Sequence, residues 1–117
     1  MGQNLDKPKF ILFDKCVDMM SYAYDAMSDI PKDHRYALGA DIRSSMNTLL
    51  RLIVRCGKRY YKKTTLQELD IEHETLKGLF LVAVELRAIN VKEYGILSRH
   101  MEELGKMIGG WIKKAPR

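Results

Sequence analysis

Apolar residues recur along most of the chain at spacings of three and four, the period of an α-helix that turns one face to a core. Phe13, Val17, Met20, Tyr24 and Met27 carry the first such series. They predict a helix over about 8–28, with Pro8 where a first turn tolerates it and Asp14, Asp18 and Asp25 outside. Asp29-Ile30-Pro31 ends it, because a residue before proline is pushed out of the α region. A second helix is predicted over about 32–62, with Ile42, Met46, Leu49, Ile53 and Tyr60 on its inner side and Gly39 and Gly57 within it. Thr65-Leu66-Gln67-Glu68 has the form of a capping box, a hydroxyl answered by a glutamate three residues on, and predicts a third helix over about 65–89. Asn90 and Glu93 repeat the device before a fourth, over about 92–113, seamed by Tyr94, Leu97, Met101, Leu104, Ile108 and Trp111. Four helices with short connections predict an all-α, up-and-down antiparallel four-helix bundle, one domain over 1–117.

Charge changes this picture. The net formal charge is +5, divided as −2 over residues 1–30, +7 over 31–63, −3 over 64–90 and +3 over 91–117. The outer side of the second helix carries Arg51, Arg55, Lys58, Arg59 and Lys62, with Arg43 before them and Lys63 after, and no acid lies between Asp41 and Glu68. Arg51, Arg55, Arg59 and Lys63 stand four apart, where like charges weaken an isolated helix by a few tenths of a kcal/mol per pair. A solvated face normally mixes both signs, so the ridge is expected to meet an anionic partner, nucleic acid foremost. Tyr61, beside Lys62 and Lys63, is a candidate for stacking on a nucleotide, and the tail lysines Lys113 and Lys114 extend the basic surface.

The third helix carries a different signal. Leu79 to Val84 read LFLVAV, apolar around the whole circumference, where a lone bundle keeps a polar stripe toward water. Leu79, Leu81, Val82 and Val84 are therefore expected in a contact between copies of the chain. Gly105 and Gly109 can admit another helix closely, and Trp111 is expected in core or interface rather than as a base platform.

Several chemistries find no residues. There is no phosphate-binding glycine loop, no nucleophile elbow and no Cys/His set at ligand spacing, so no catalytic residue and no cofactor are expected. Asp70 and His73 lie one turn apart, but a carboxylate-bridged metal bundle needs that motif twice, and His73 is expected to be a hydrogen-bonded structural histidine. Cys16 and Cys56 are too few for a disulfide framework and read as reduced thiols in a cytoplasmic protein. No apolar run approaches the roughly 20 residues of a membrane span.

Three segments resemble one family: Pro31 to Gly39 (PKDHRYALG) with Ile42-Arg43, then Leu66 to Asp70 (LQELD), then Glu103 to Ile112 (ELGKMIGGWI). They are similar to the accessory variability determinant (Avd) proteins of diversity-generating retroelements, and more distantly to the four-helix-bundle proteins encoded in ribosomal RNA intervening sequences. The similarity runs from about Phe10 to Lys114, and its Gly-Gly-Trp-Ile ending favours the Avd branch. The resemblance implies a bundle that assembles as a ring-like homopentamer with a basic surface, binds the element's reverse transcriptase and its template RNA or cDNA, and is not an enzyme. The other expectations are a ribosome-associated protein of the intervening-sequence branch and a scaffold whose basic ridge docks an acidic protein.

Overall fold

A computed structural model describes residues 8–58 and 62–115. Among them are four long helices, α1 (Pro8–Ala26), α3 (Leu38–Lys58), α4 (Lys62–Glu85) and α5 (Val91–Lys114), and one short one, α2 (Lys32–Arg35). Each long helix packs on two others, α1 on α3 and α5, and α4 on α3 and α5, so α1 and α4 lie at opposite corners. Contacts between paired helices run in opposite directions along the chain. Lys15 Nζ reaches Glu103 Oε2 at 3.0 Å while the Tyr22 ring lies 6.1 Å from His100. The described helices therefore form an up-and-down antiparallel bundle.

The core is built from one inward stripe per helix. Ile42, Met46, Leu49 and Ile53 of α3 and Leu97, Met101, Leu104 and Ile108 of α5 are buried at the positions their spacing predicts. Tyr94 and Trp111 pack against the core from its edge. In α1 the inward stripe is instead Leu12, Cys16, Met19 and Ala23, one residue out of step with the expected series. Phe13 and Met20 are half-buried and Val17 and Tyr24 exposed. Both stripes of α1 are apolar, and the slimmer one faces inward, where small side chains let helices approach.

The helix ends differ from expectation in three places. The predicted second helix is interrupted at Tyr36 and Ala37. Ile30 and Pro31 are extended, α2 buries none of its residues, and only after the second turn do Leu38, Gly39 and Ile42 reach the core. The Thr65 capping box is not a helix start: α4 begins at Lys62, and Thr65 is buried on the stripe that continues through Leu69, His73, Leu76, Phe80 and Ala83. The helix expected to reach residue 89 stops at Glu85. There Arg87 takes a left-handed φ of 60°, its N–H donates to the Val84 carbonyl at 3.0 Å, and the Ala88 N–H donates to the Ala83 carbonyl at 2.8 Å. That pair of bonds is the Schellman closure, here with arginine in the glycine position.

The second capping box is present. Asn90 Oδ1 accepts from the Glu93 N–H at 2.7 Å and Glu93 Oε1 from the Asn90 N–H at 2.9 Å, satisfying two donors at the start of α5.

Candidate nucleic-acid interface

Five basic residues are brought to one end of the bundle by its topology. The C-terminal turn of α3 holds Arg55 and Lys58, the first turn of α4 holds Lys63, and the last turn of α5 holds Lys113 and Lys114. Because α4 runs antiparallel to both neighbours, its start and their ends share one pole. Arg55, Lys58, Lys113 and Lys114 in the last turns of α3 and α5 complement the negative ends of those helix dipoles, whereas Lys63 sits at the positive end of α4. All five are exposed. Arg59 and Tyr61, with the seam residue Tyr60, lie outside the described residues, and of Lys62 only the backbone is described.

From this pole a stripe runs along the outer side of α3, through Lys58, Val54, Arg51, Asn47 and Arg43, at helical spacings of four, three, four and four. From Arg43 to Lys58 it is about 22 Å long at 1.5 Å per residue. Three details revise the ridge expected from sequence. Lys62 and Lys63 belong to α4, so the four-apart series that holds Arg51 and Arg55 on α3 does not reach Lys63 on the same helix. Glu68 of α4 reaches across, its Oε1 3.6 Å from Arg55 Nη1, which partly neutralises the ridge. Both side chains are about half exposed, and such pairs are worth about 0–1 kcal/mol, so Arg55 is still available to a polyanion. Among the described residues, Arg51 and Lys58 form no ion pair. Val54 is an exposed apolar residue set among these cations.

Arg43, at the other end of the stripe, is half-buried. A Cβ on Gly39 would lie 3.3 Å from Arg43 Nη1 and 3.6 Å from the His34 carbonyl oxygen. The missing side chain thus lets the Arg43 guanidinium lie back against the elbow that carries α2.

The residues expected between copies fall into two groups. On α4, Leu81 and Val82 are 47% and 44% exposed, whereas Leu79 and Val84 are half-buried against the core. On α5, Gly109 has no heavy atom within 4 Å of its Cβ position and Trp111 is half-buried. Gly105 is used within the chain. Its Cβ would lie 2.9 Å from Cε1 of His73, so the space it leaves is filled by α4 rather than offered to a second copy. His73 is 3% exposed and its Nε2 donates to the Met101 carbonyl at 2.6 Å, the structural histidine expected from sequence.

Sequence reasoning passed over the buried Ser45, whose hydroxyl donates to Glu72 Oε2 at 2.6 Å and ties α3 to α4. It also passed over Tyr36, which stands on the elbow 78% exposed. No helix of the described residues is long and apolar enough to cross a membrane.

An antiparallel helical bundle with five exposed cations at one pole and further ones along an outer stripe of α3 defines a small basic helical protein. Within that class the assignment is specific: a family model described as bAvd-like matches residues 10–115, nearly the whole chain. The chain belongs to the bAvd-like family, as the resemblance to the Avd proteins anticipated. No curated protein matches it.

Proposed function

We propose that the protein is a non-enzymatic accessory factor of a diversity-generating retroelement, which holds nucleic acid on its basic pole and stripe and engages the element's reverse transcriptase. Family membership supports the retroelement setting. The observation that carries the nucleic-acid reading is the convergence of Arg55, Lys58, Lys63, Lys113 and Lys114 at one pole, backed by Arg51 on α3. Cations of this kind neutralise phosphates without reading sequence, so affinity for RNA, DNA and a hybrid is governed by charge density.

Self-association is part of the same reading. Two apolar faces stay open on the single chain, Val17 and Tyr24 on α1 and Leu81 and Val82 on α4. They sit on the two helices that do not pack on each other, so they face different ways. A contact that joins one face to a different face of the next copy is head-to-tail, and it closes into a ring when the rotation allows. A ring, a pentamer as the family resemblance implies, would place every basic pole in equivalent surroundings and multiply the field of one chain.

Gel shifts with RNA, DNA and an RNA–DNA hybrid, each competed with heparin, test the nucleic-acid reading. Salt-sensitive retention of all three polynucleotides is expected, with heparin competing for the same cations, and no shift of any of them in dilute buffer argues for a scaffold that docks acidic proteins. Sedimentation tests the assembly. The wild type is expected as a closed oligomer and the double variant Leu81→Glu, Val82→Glu as a folded monomer, because both side chains are exposed on the single chain. A wild-type monomer at working concentration would remove the ring.

A further inference from the structure

We propose that Tyr36 is a stacking platform for one unpaired base of a single-stranded polynucleotide held on the α3 stripe. The inference rests on the nucleic-acid reading above and adds to it a residue, a strand state and a non-electrostatic contact.

The elbow between α1 and α3 is built from a turn that contributes nothing to the core. α2 buries none of its four residues, and Tyr36 follows it with 78% of its surface in water. Tyr22 and Tyr94, in contrast, lie half-buried against the core. A tyrosine so exposed forgoes the burial that normally accounts for an aromatic residue, and its ring is open to a flat partner. Cations lie on the same elbow. Lys32 and Arg35 are exposed in the same turn, Arg43 is laid back toward the elbow over Gly39, and among the described residues none of the three forms an ion pair. Asp33 and Asp41 are also present, so the elbow is close to neutral. Its contribution must come from stacking, with a cation or two for the adjoining phosphates.

Position decides the occupant. Arg43 joins the elbow to Asn47, Arg51, Val54 and Lys58, so the stripe leads from Tyr36 to the basic pole. A strand lying along it has its phosphates on cations and its end base at the ring. Only an unpaired base can do this, because a base inside a duplex is already stacked on both faces. Arg35, exposed and next to Tyr36 in the chain, adds a cation for an adjoining phosphate. The site therefore favours a single strand, RNA or DNA, over duplex.

The test measures binding of full-length wild type, Tyr36→Ala, Tyr36→Leu and Tyr36→Phe to single-stranded RNA and DNA of one sequence, and to an abasic DNA strand of equal length. Stacking on one base predicts that Ala and Leu bind the base-bearing strands about 5- to 150-fold more weakly, while Phe binds as the wild type does. The dependence on salt should be unchanged in all variants, and the abasic strand should not distinguish them. Equal loss on RNA and DNA places the contact on the base; loss on RNA alone adds a contact to the 2′-hydroxyl. Wild-type binding with Ala equal to wild type overturns the platform and leaves the nucleic-acid reading standing. An equal loss on the abasic strand, or a loss only in capture of a protein partner, also overturns it. A wild type that binds no polynucleotide removes the parent reading and this one together. Circular dichroism confirms the fold of each variant, which 78% exposure of the side chain makes secure.

Discussion

Alanine at Gly105 tests a close approach between α5 and α4. Within a helix the change should stabilise by about 1 kcal/mol, since alanine is the better helix former. Here the new Cβ would stand 2.9 Å from His73 Cε1 and 3.2 Å from Nε2, where carbon atoms normally rest about 3.5–4.0 Å apart. The ring must retreat by about 0.6–1 Å, and it has nowhere to go. It is 3% exposed and held by the 2.6 Å bond to the Met101 carbonyl. Overpacking costs about 1–3 kcal/mol and a weakened buried hydrogen bond about 0.5–1.5 kcal/mol. Against the propensity gain, the net is a loss of about 1–3 kcal/mol, or a fall of about 4–10 °C in Tm for a chain this long. Gly95 provides the control in the same helix. No heavy atom lies within 4 Å of its Cβ position, so the identical change there should stabilise by up to about 1 kcal/mol. Urea and thermal unfolding at one fixed protein concentration measure both, the concentration being held because assembly adds to apparent stability. On a His73→Ala background, Gly105→Ala should lose its penalty. A Gly105→Ala protein as stable as wild type, or shifted like Gly95→Ala, refutes the packing argument.

Two further outcomes follow from local chemistry. Arg87→Gly relieves a left-handed residue at the end of α4 and should raise the urea midpoint by about 0.5–1 kcal/mol in stability, net of the freedom glycine adds to the unfolded chain; a decrease contradicts the Schellman assignment. Burial pushes the Cys16 thiol up from 9.0 to about 12. The unfolded chain then gives up this proton first, so stability should be level below about pH 9 and decline between about pH 9 and pH 12, with a shallower decline in Cys16→Ala; equal declines refute the assignment.

What the sequence disclosed divides along the range of the interactions. The cap of α5 was legible because Asn90 and Glu93 satisfy each other within one turn. The α3 and α5 seams were legible because each has a single apolar stripe opposite a charged one. In α1 both Leu12-Cys16-Met19-Ala23 and Phe13-Val17-Met20-Tyr24 are apolar at helical spacing, and the choice between them depends on how closely neighbours approach. Thr65 and Glu68 match a local rule, yet burial of Thr65 against the rest of the bundle overrides it. The break at Tyr36 carries no proline or glycine at the turn itself, and the end of α4 uses arginine where glycine would have announced it. The site was half legible. Charge density on α3 can be counted along the chain, but the pole needs α4 and α5 brought to the same end, and the Arg55–Glu68 pair joins residues on different helices. The role of Gly105 was hidden for the same reason, since its partner is His73 of another helix.

The account rests on phosphate neutralisation by the basic pole and stripe, and the dependence of polynucleotide affinity on salt measures it most directly. For the wild type, log K should fall linearly with log salt at about 0.7–0.9 per phosphate contacted. Replacing Arg51, Arg55 and Lys58 by glutamine removes three exposed cations without touching the core, and the slope should flatten by about two to three units while the helical signal is retained. A slope unchanged by the triple substitution, or wild-type affinity indifferent to salt, contradicts the account.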